Sequence, residues 1–404
     1  MILNKKITAL TLSACLLSSF AFAKDENKKT KEEGYEFTTV KELPHTPIKD
    51  QNRSGTCWSF STVSFIESEM LRAGKPEVDL SEMFVVRHIY KEKAEKYVRM
   101  HGNLTFGAGA GSRDVPYVIQ KYGIVPEEAY TGLQYGEDKH VHGEMDEMLL
   151  SEVKTVVENK NRKLSTAWPK VIDGTLDAYL GKLPAKFEYK GKEYTPQTFA
   201  SDYVGLNMDD YVEITSYTHH PFYKPFILEI PDNWLWGESY NVPMEDMMTI
   251  INNAIDNDYT VAWGSDVSEK GFATKKQGVA VIPEADTKEM SNAEISKWEN
   301  MSKSEKDAKL YKLDKPGKEK TITQEMRQEA FDNYQTTDDH GMEIIGTAKD
   351  QNGTPYYIIK NSWGEYNKFK GYFYASVPFV AYKTMSIMVN KNAIPSEIRQ
   401  KLGL

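Results

Sequence analysis

Two side chains in this sequence are of the types that attack a carbonyl carbon together: Cys57 and, nearly three hundred residues later, His340. A thiol becomes a strong nucleophile once its proton is removed. An imidazole can take that proton and later hand it to a leaving amine. The imidazole must then be held in one tautomer and one orientation, and an uncharged amide such as Asn361 can do this. The oxyanion formed on the attacked carbonyl needs donors, and Gln51 places a side-chain amide six residues before Cys57, beside the backbone N–H of Cys57 itself. Alone, a cysteine or a histidine of this kind reads as structural. The four together are the parts needed to hydrolyse an amide.

Elements must position these groups. Phe60, Val63, Ile66 and Met70 recur at three- and four-residue steps and Gly74 follows, so a buried helix is expected with Cys57 in its first turn. There the unpaired N–H groups favour a thiolate. Met342–Thr347 and Tyr356–Lys360 read as strands joined through Asp350-Gln351-Asn352-Gly353-Thr354. Folding about Asn352-Gly353 sets Asn361 opposite residue 344, four positions from His340, a gap of about 13 Å along a strand. A longer or bulged turn must close it. Elsewhere, 144–182 reads as helices, and Lys190–Thr195 and Tyr211–Pro231 as mixed. Met244–Asp256 reads as a helix, Thr260–Gly264 and Tyr372–Tyr374 as strands. The charged stretch 284–321 reads as a solvated helical excursion.

The chain of 404 residues carries a net charge of −9, which disfavours a nucleic-acid partner. Lys5 and Lys6, the apolar run Ile7–Phe20 and Ala21-Phe22-Ala23 have the three parts of a secretory signal over 1–23. Export to the periplasm or the exterior is therefore expected. The run is shorter than a membrane span, and no later segment is apolar enough to be one. Leu12-Ser13-Ala14-Cys15 offers the alternative of lipid attachment at Cys15. A charged leader follows over 24–41. Cleavage after Ala23 leaves Cys57 as the sole thiol, with no internal disulfide, in a compartment where a free thiol is a liability unless it is used. His219-His220 and His140-Val141-His142 have no cysteine or acidic residue at ligand spacing, so neither a metal nor another cofactor is expected.

Thr46-Pro47-Ile48-Lys49-Asp50-Gln51, Gly55-Thr56-Cys57-Trp58-Ser59-Phe60-Ser61, Gly123-Ile124-Val125-Pro126-Glu127-Glu128-Ala129-Tyr130 and Asn361-Ser362-Trp363-Gly364 resemble the motifs of papain-like cysteine peptidases, family C1. A Gly-x-Cys-Trp stretch of the kind around Cys57 is similar to the one that surrounds the nucleophile of papain itself. Tyr240-Asn241-Val242-Pro243 followed by Val261-Ala262-Trp263-Gly264-Ser265-Asp266-Val267, the distance from Cys57 to His340, and the lack of room for a long propeptide before Gln51 narrow the resemblance to the bleomycin hydrolase and aminopeptidase C branch.

The resemblance implies an α+β, two-domain fold: a helical domain over 42–144 carrying Cys57 and a β-barrel-like domain over 236–404 carrying His340 and Asn361. A large inserted helical domain over 145–235 would make oligomer contacts. It further implies that Trp363 shields the Asn361–His340 hydrogen bond, that Gly109 and Gly111 offer bare backbone to a peptide substrate, and that the chain forms a homohexamer. Aminopeptidase action in that branch depends on a C-terminal tail that enters the cleft. Here the sequence stops at Leu404, where relatives continue, so an endopeptidase or broad peptidase is the alternative. Readings of other kinds are a non-catalytic oligomeric binding protein and acyl transfer to an amine.

Overall fold

A computed structural model describes residues 34–404, apart from the side chain of Glu289. The signal segment 1–23, Cys15 and the leader as far as residue 33 lie outside the described residues.

The Cys57–Arg72 helix is buried from Trp58 through Met70. It ends where glycine allows the chain to turn: Gly74 has φ 72°, its N–H reaches Leu71 O at 2.9 Å, and the Lys75 N–H reaches Met70 O at 2.9 Å. The neighbouring Glu82–Arg99 helix starts at Ser81, whose hydroxyl accepts from the Phe84 N–H at 3.1 Å. Gly143–Val157 and Trp168–Leu180 each bury one narrow stripe, namely Met145, Leu149 and Val153 on the first and Ile172, Leu176 and Leu180 on the second. A single stripe cannot enclose a core, so these helices pack into the one already formed by Phe65, Ile66, Phe84 and Val85. Helices of the stretch 145–235 thus contribute to that core, its Tyr217, Phe226 and Leu228 form a small cluster apart from it, and its strand Tyr211–Thr215 joins the main sheet. Residues 34–404 form one compact unit.

The sheet has eleven strands among the described residues. Its middle runs Thr384–Asn390, Val261–Ser265, His340–Asp350, Pro355–Lys360 and Tyr372–Ser376, each antiparallel to the next. Ile344, Ile359, Trp263 and Phe373 fill a second core with Met247, Ile250 and Ile251 of the Met244–Asp256 helix. The excursion near 284–321 carries two short helices, Asn292–Glu299 and Lys303–Leu310, with no buried residue in either. No helix among the described residues is long and apolar enough to cross a membrane.

The expected hairpin forms, and its turn is held by the Asp350 carboxylate, which accepts from the Asn352 and Thr354 N–H groups at 2.8 and 2.9 Å. Lys349 pairs with Pro355. A bulge between Ile344 and Gly346 then shifts the register so that Glu343 faces Lys360. Asn361 comes opposite Met342 instead of residue 344, and the remaining gap to His340 falls to two residues, about 7 Å.

The end of the leader is also ordered. Phe37–Glu42 forms an edge strand on His340–Asp350, where the sequence reads as charged and unstructured. Phe37 anchors it, stacking on Tyr374 with ring centroids 3.7 Å apart. The strand fits only because residue 346 is glycine: a Cβ there would stand 2.2 Å from Lys41 O and 3.0 Å from the Glu42 Cα. Gly346→Ala should loosen this edge and destabilise the fold by about 1–3 kcal/mol, as overpacking does. Urea unfolding checks this, and a midpoint unchanged from wild type would refute the close approach.

Candidate active site

Cys57 is the first residue of its helix and His340 the first of its strand, and both line one cleft. The contact that joins them is made by Gly341. A Cβ on this glycine would lie 2.6 Å from Ser61 Oγ, 3.2 Å from the Trp58 Cα and 3.4 Å from Cys57 O. Bare backbone at residue 341 therefore rests on the first turn of the Cys57 helix. The backbone N–H groups of Gly341 and Trp58 are both directed at the sulfur and favour its ionised form.

The His340 ring is fixed from two sides. Its Nε2 lies 2.7 Å from Asn361 Oδ1. That amide atom is identified as oxygen by the Ser362 N–H, which donates to it at 2.8 Å, while Asn361 Nδ2 donates to Tyr366 Oη at 3.1 Å. Nε2 must then carry the proton, which leaves Nδ1 as a lone pair. The Trp363 ring lies on the imidazole at 4.6 Å between centroids and 28° between planes, and is itself packed by Phe272 and Tyr366.

Gln51 is oriented by the same segment. Its N–H donates to Ser362 O at 2.8 Å, and its Oε1 accepts from Ser362 Oγ at 2.6 Å, so the NH₂ end of the amide is the one left available. The chain then turns toward Cys57 through left-handed backbone at Asn52 (φ 49°) and Gly55 (φ 67°).

Gly109 and Gly111 line the cleft. The Gly111 N–H is taken by Asp114 Oδ2 at 2.9 Å, and a Cβ on Gly109 would fall 2.0 Å from Asp232 Oδ2. Lys93 Nζ, buried, donates to the carbonyls of Gly107 (2.8 Å) and Gly109.

Sequence reasoning missed a buried polar network behind the cleft. Lys360 Nζ donates to Ser64 Oγ at 2.6 Å and Thr46 Oγ1 at 2.9 Å, and Ser64 donates onward to Glu343. Thr46 also bonds Glu67 at 2.5 Å, and Glu67 meets Lys49 at 3.2 Å. Burial pushes the Lys360 ammonium down, while Glu343 and Glu67 act to keep it charged. The signal for this was faint: a lysine one residue before Asn361, in a strand that is otherwise apolar.

Burial dominates the electrostatics of the cleft. It pushes the Cys57 thiol up to about 11 and the His340 imidazole down to about 4. Asp338 is pushed up to about 7 by burial and then by Asp232, Glu213 and Asp339, and Asp114 to about 7 chiefly by burial. Arg113 is the one cationic side chain on the cleft wall among the described residues, and it is turned to the carbonyl of Glu238.

The other histidines lie apart from the cleft. The acidic partner that local spacing did not offer His219 and His220 is Glu229, whose carboxylate lies 3.0 and 2.8 Å from their Nε2 atoms on the surface. His140 and His142 are buried beside the loop that leads to Cys57: Arg53 N–H donates to His140 O at 3.0 Å and His142 N–H to Arg53 O at 3.2 Å. Neither ring nitrogen of His142 has a partner among the described residues. Burial therefore lowers His142 to about 3, with His140 adding to the effect, and burial lowers His140 to about 4. In an unfolded chain these imidazoles bind protons below about 6.5, whereas the fold refuses them until pH 3–4. Stability is thus complete above about pH 6.5 and declines as pH falls toward 4. In His142→Leu, the melting temperature should fall less between about pH 7.5 and 4.5 than it does in wild type. Parallel losses in the two proteins would refute the role of His142.

Comparison with known proteins agrees with this architecture. The model of the Peptidase C1-like family matches residues 109–306 and 291–403, a span that contains His340, Asn361 and Trp363 and begins after Gln51 and Cys57. Aminopeptidase C of Lactobacillus delbrueckii subsp. lactis is 22% identical over 409 residues, covering 89% of this chain and 82% of its own. Cysteine proteinase 1, mitochondrial, of Saccharomyces cerevisiae (strain YJM789) is 21% identical, covering 93% and 81%. The crystal structure of PepW from Lactobacillus rhamnosis HN001 superposes with a TM-score of 0.66 at 21% identity, over 91% of this chain and 84% of that one. The chain belongs to the Peptidase C1-like family, the papain-like cysteine peptidases of the bleomycin hydrolase and aminopeptidase C branch.

Proposed function

We propose that the chain is an exported cysteine aminopeptidase with Cys57 as nucleophile, His340 as general base, Asn361 as the group that orients it, and Gln51 as an oxyanion donor. The observation that carries this reading is the hydrogen bond from His340 Nε2 to Asn361, which leaves Nδ1 free to accept a proton in the cleft that holds Cys57.

In the first step Nδ1 takes the thiol proton as the sulfur bonds to the substrate carbonyl carbon, and the carbonyl π electrons move to oxygen. The Cys57 N–H and the Gln51 amide donate to that oxyanion. The imidazolium then protonates the departing amine, leaving a thioester. A water, deprotonated by His340, attacks the thioester, releases the carboxylate product and restores the thiol. Charging Cys57 or His340 alone is disfavoured by burial, whereas moving the proton from one to the other creates two charges that compensate each other.

The aminopeptidase reading draws on the relatives named aminopeptidase C. The two cores, one around the Cys57 helix and one around the His340 strand, support a two-domain papain-like description. Export is supported by the signal pattern over 1–23. Homo-oligomer formation is proposed from the resemblance to the bleomycin hydrolase and aminopeptidase C branch; within 145–235, Met148, Leu164, Val171 and Ile227 are large apolar side chains that stay exposed. Sedimentation velocity should therefore return a multiple of the monomer mass, and a monomer at micromolar concentration would remove the oligomer from this reading.

Cys57→Ala and His340→Ala should each abolish turnover of aminoacyl fluorogenic substrates. Gln51→Ala should cost about 10²-fold in kcat, and Asn361→Ala less than the loss of His340. The acid limb of kcat/KM should lie near pH 4, well below the usual imidazole range, because burial resists protonation of His340. Retained activity in Cys57→Ala would overturn the assignment.

A further inference from the structure

Five carboxylates line the cleft: Asp114, Glu213, Asp232, Asp338 and Asp339. Three of them are satisfied by the chain itself. Asp114 accepts from the Gly111 N–H and from Trp234 Nε1 at 2.6 Å. Glu213 accepts from Ser239 Oγ. Asp339 accepts from the Val267 and Ser268 N–H groups, each at 3.1 Å, and from Thr337 Oγ1 at 2.7 Å. Asp232 and Asp338 have neither a hydrogen bond nor an ion pair among the described residues, yet they lie close enough for each to raise the proton affinity of the Cys57 thiol. The nearest cations are otherwise engaged, Lys93 by two carbonyls and Arg113 by one.

The position of Asp232 adds a steric fact independent of charge. Its carboxyl group fills the space over Gly109, where any side chain on that residue would stand. Asp232, Asp338 and Ile230 also line an adjoining pocket of about 410 Å³, so the two carboxylates stand where the cleft and that pocket meet. Two carboxylates without a hydrogen bond or ion pair among the described residues face one cleft beside the Cys57 sulfur, and Lys93, held by two carbonyls, acts on Asp232 through space. An ammonium that arrives with a ligand would find both open to pairing.

We propose that Asp232 and Asp338 bind the α-ammonium group at the free N-terminus of the substrate. This rests on the peptidase reading above and deepens it by naming the two side chains that would hold the unblocked N-terminus. An ammonium between the two carboxylates makes charge-assisted hydrogen bonds to both, whereas an N-acetylated peptide brings no charge and added bulk.

The test compares aminoacyl-coumarylamides with their N-acetyl counterparts in wild type, Asp232→Asn and Asp338→Asn. Wild type should prefer the free amine at least about tenfold. Each variant should lose about 10- to 100-fold in kcat/KM on the free amine, mainly through KM, with no matching loss on the acetylated substrate, so that the preference for the free amine collapses. Equal losses on both substrates would mark a structural role and overturn the proposal, as would unchanged kinetics on the free amine. Losses confined to acetyl-Lys or acetyl-Arg substrates would assign the carboxylates to a basic side chain and overturn it too. Calorimetry on Cys57→Ala with alanyl-alanine and its N-acetyl form reads affinity without turnover: binding of the free amine alone, lost in Cys57→Ala/Asp232→Asn, supports the site, and equal binding of both forms overturns it. If wild type cleaves none of these substrates and Cys57 resists a thiol-directed epoxide, the peptidase reading fails separately, while the calorimetric comparison still decides the ammonium site.

Discussion

The rest of the site depends on one contact, the bare backbone of Gly341 lying on the first turn of the Cys57 helix. A helix N-terminus and a strand beginning are brought together there without side chains between them, which sets both the sulfur and the imidazole at the same cleft. Nothing in that contact fixes the strand against sliding. The register comes from the buried polar groups behind it. Glu343 and Lys360 face each other across the hairpin, and both reach Ser64, on the buried body of the Cys57 helix. A one-residue slip would leave a lysine and a glutamate in the interior without their partners, a cost of several kcal/mol. The polar network thus specifies the position that the apolar cores only permit.

The same logic explains what could be read from the residues. The Cys57 helix, the Met244–Asp256 helix and the hairpin at Asn352-Gly353 were legible because each carries a local signal: a periodic apolar face, or a turn that only a few residue types make. The four chemical side chains were legible because their types are unusual in combination. The bulge at Ile345 was not, since a bulge depends on which strands lie alongside, and the Phe37–Glu42 edge was not, since its alternation is weak and its anchor is one ring on Tyr374. The inserted domain over 145–235 was an expectation from the resemblance; the packing adds that its two amphipathic helices turn their apolar faces into the core of the Cys57 helix. The neighbours of Gly109 and Gly111 were not legible, because Asp232 comes from far along the sequence and Asp114 from beyond the local turn.

Placed among acidic groups, the thiol faces an opposition that the substrate itself can lift. Burial raises the Cys57 thiol most, but Asp338 and Asp232 add to it, and against them stand only the N–H groups of Gly341 and Trp58. An arriving ammonium neutralises the two carboxylates that disfavour the thiolate. The same binding event that places the scissile carbonyl then lowers the cost of ionising the nucleophile. With the proposed ammonium site, recognition of the N-terminus and activation of the sulfur become a single electrostatic step.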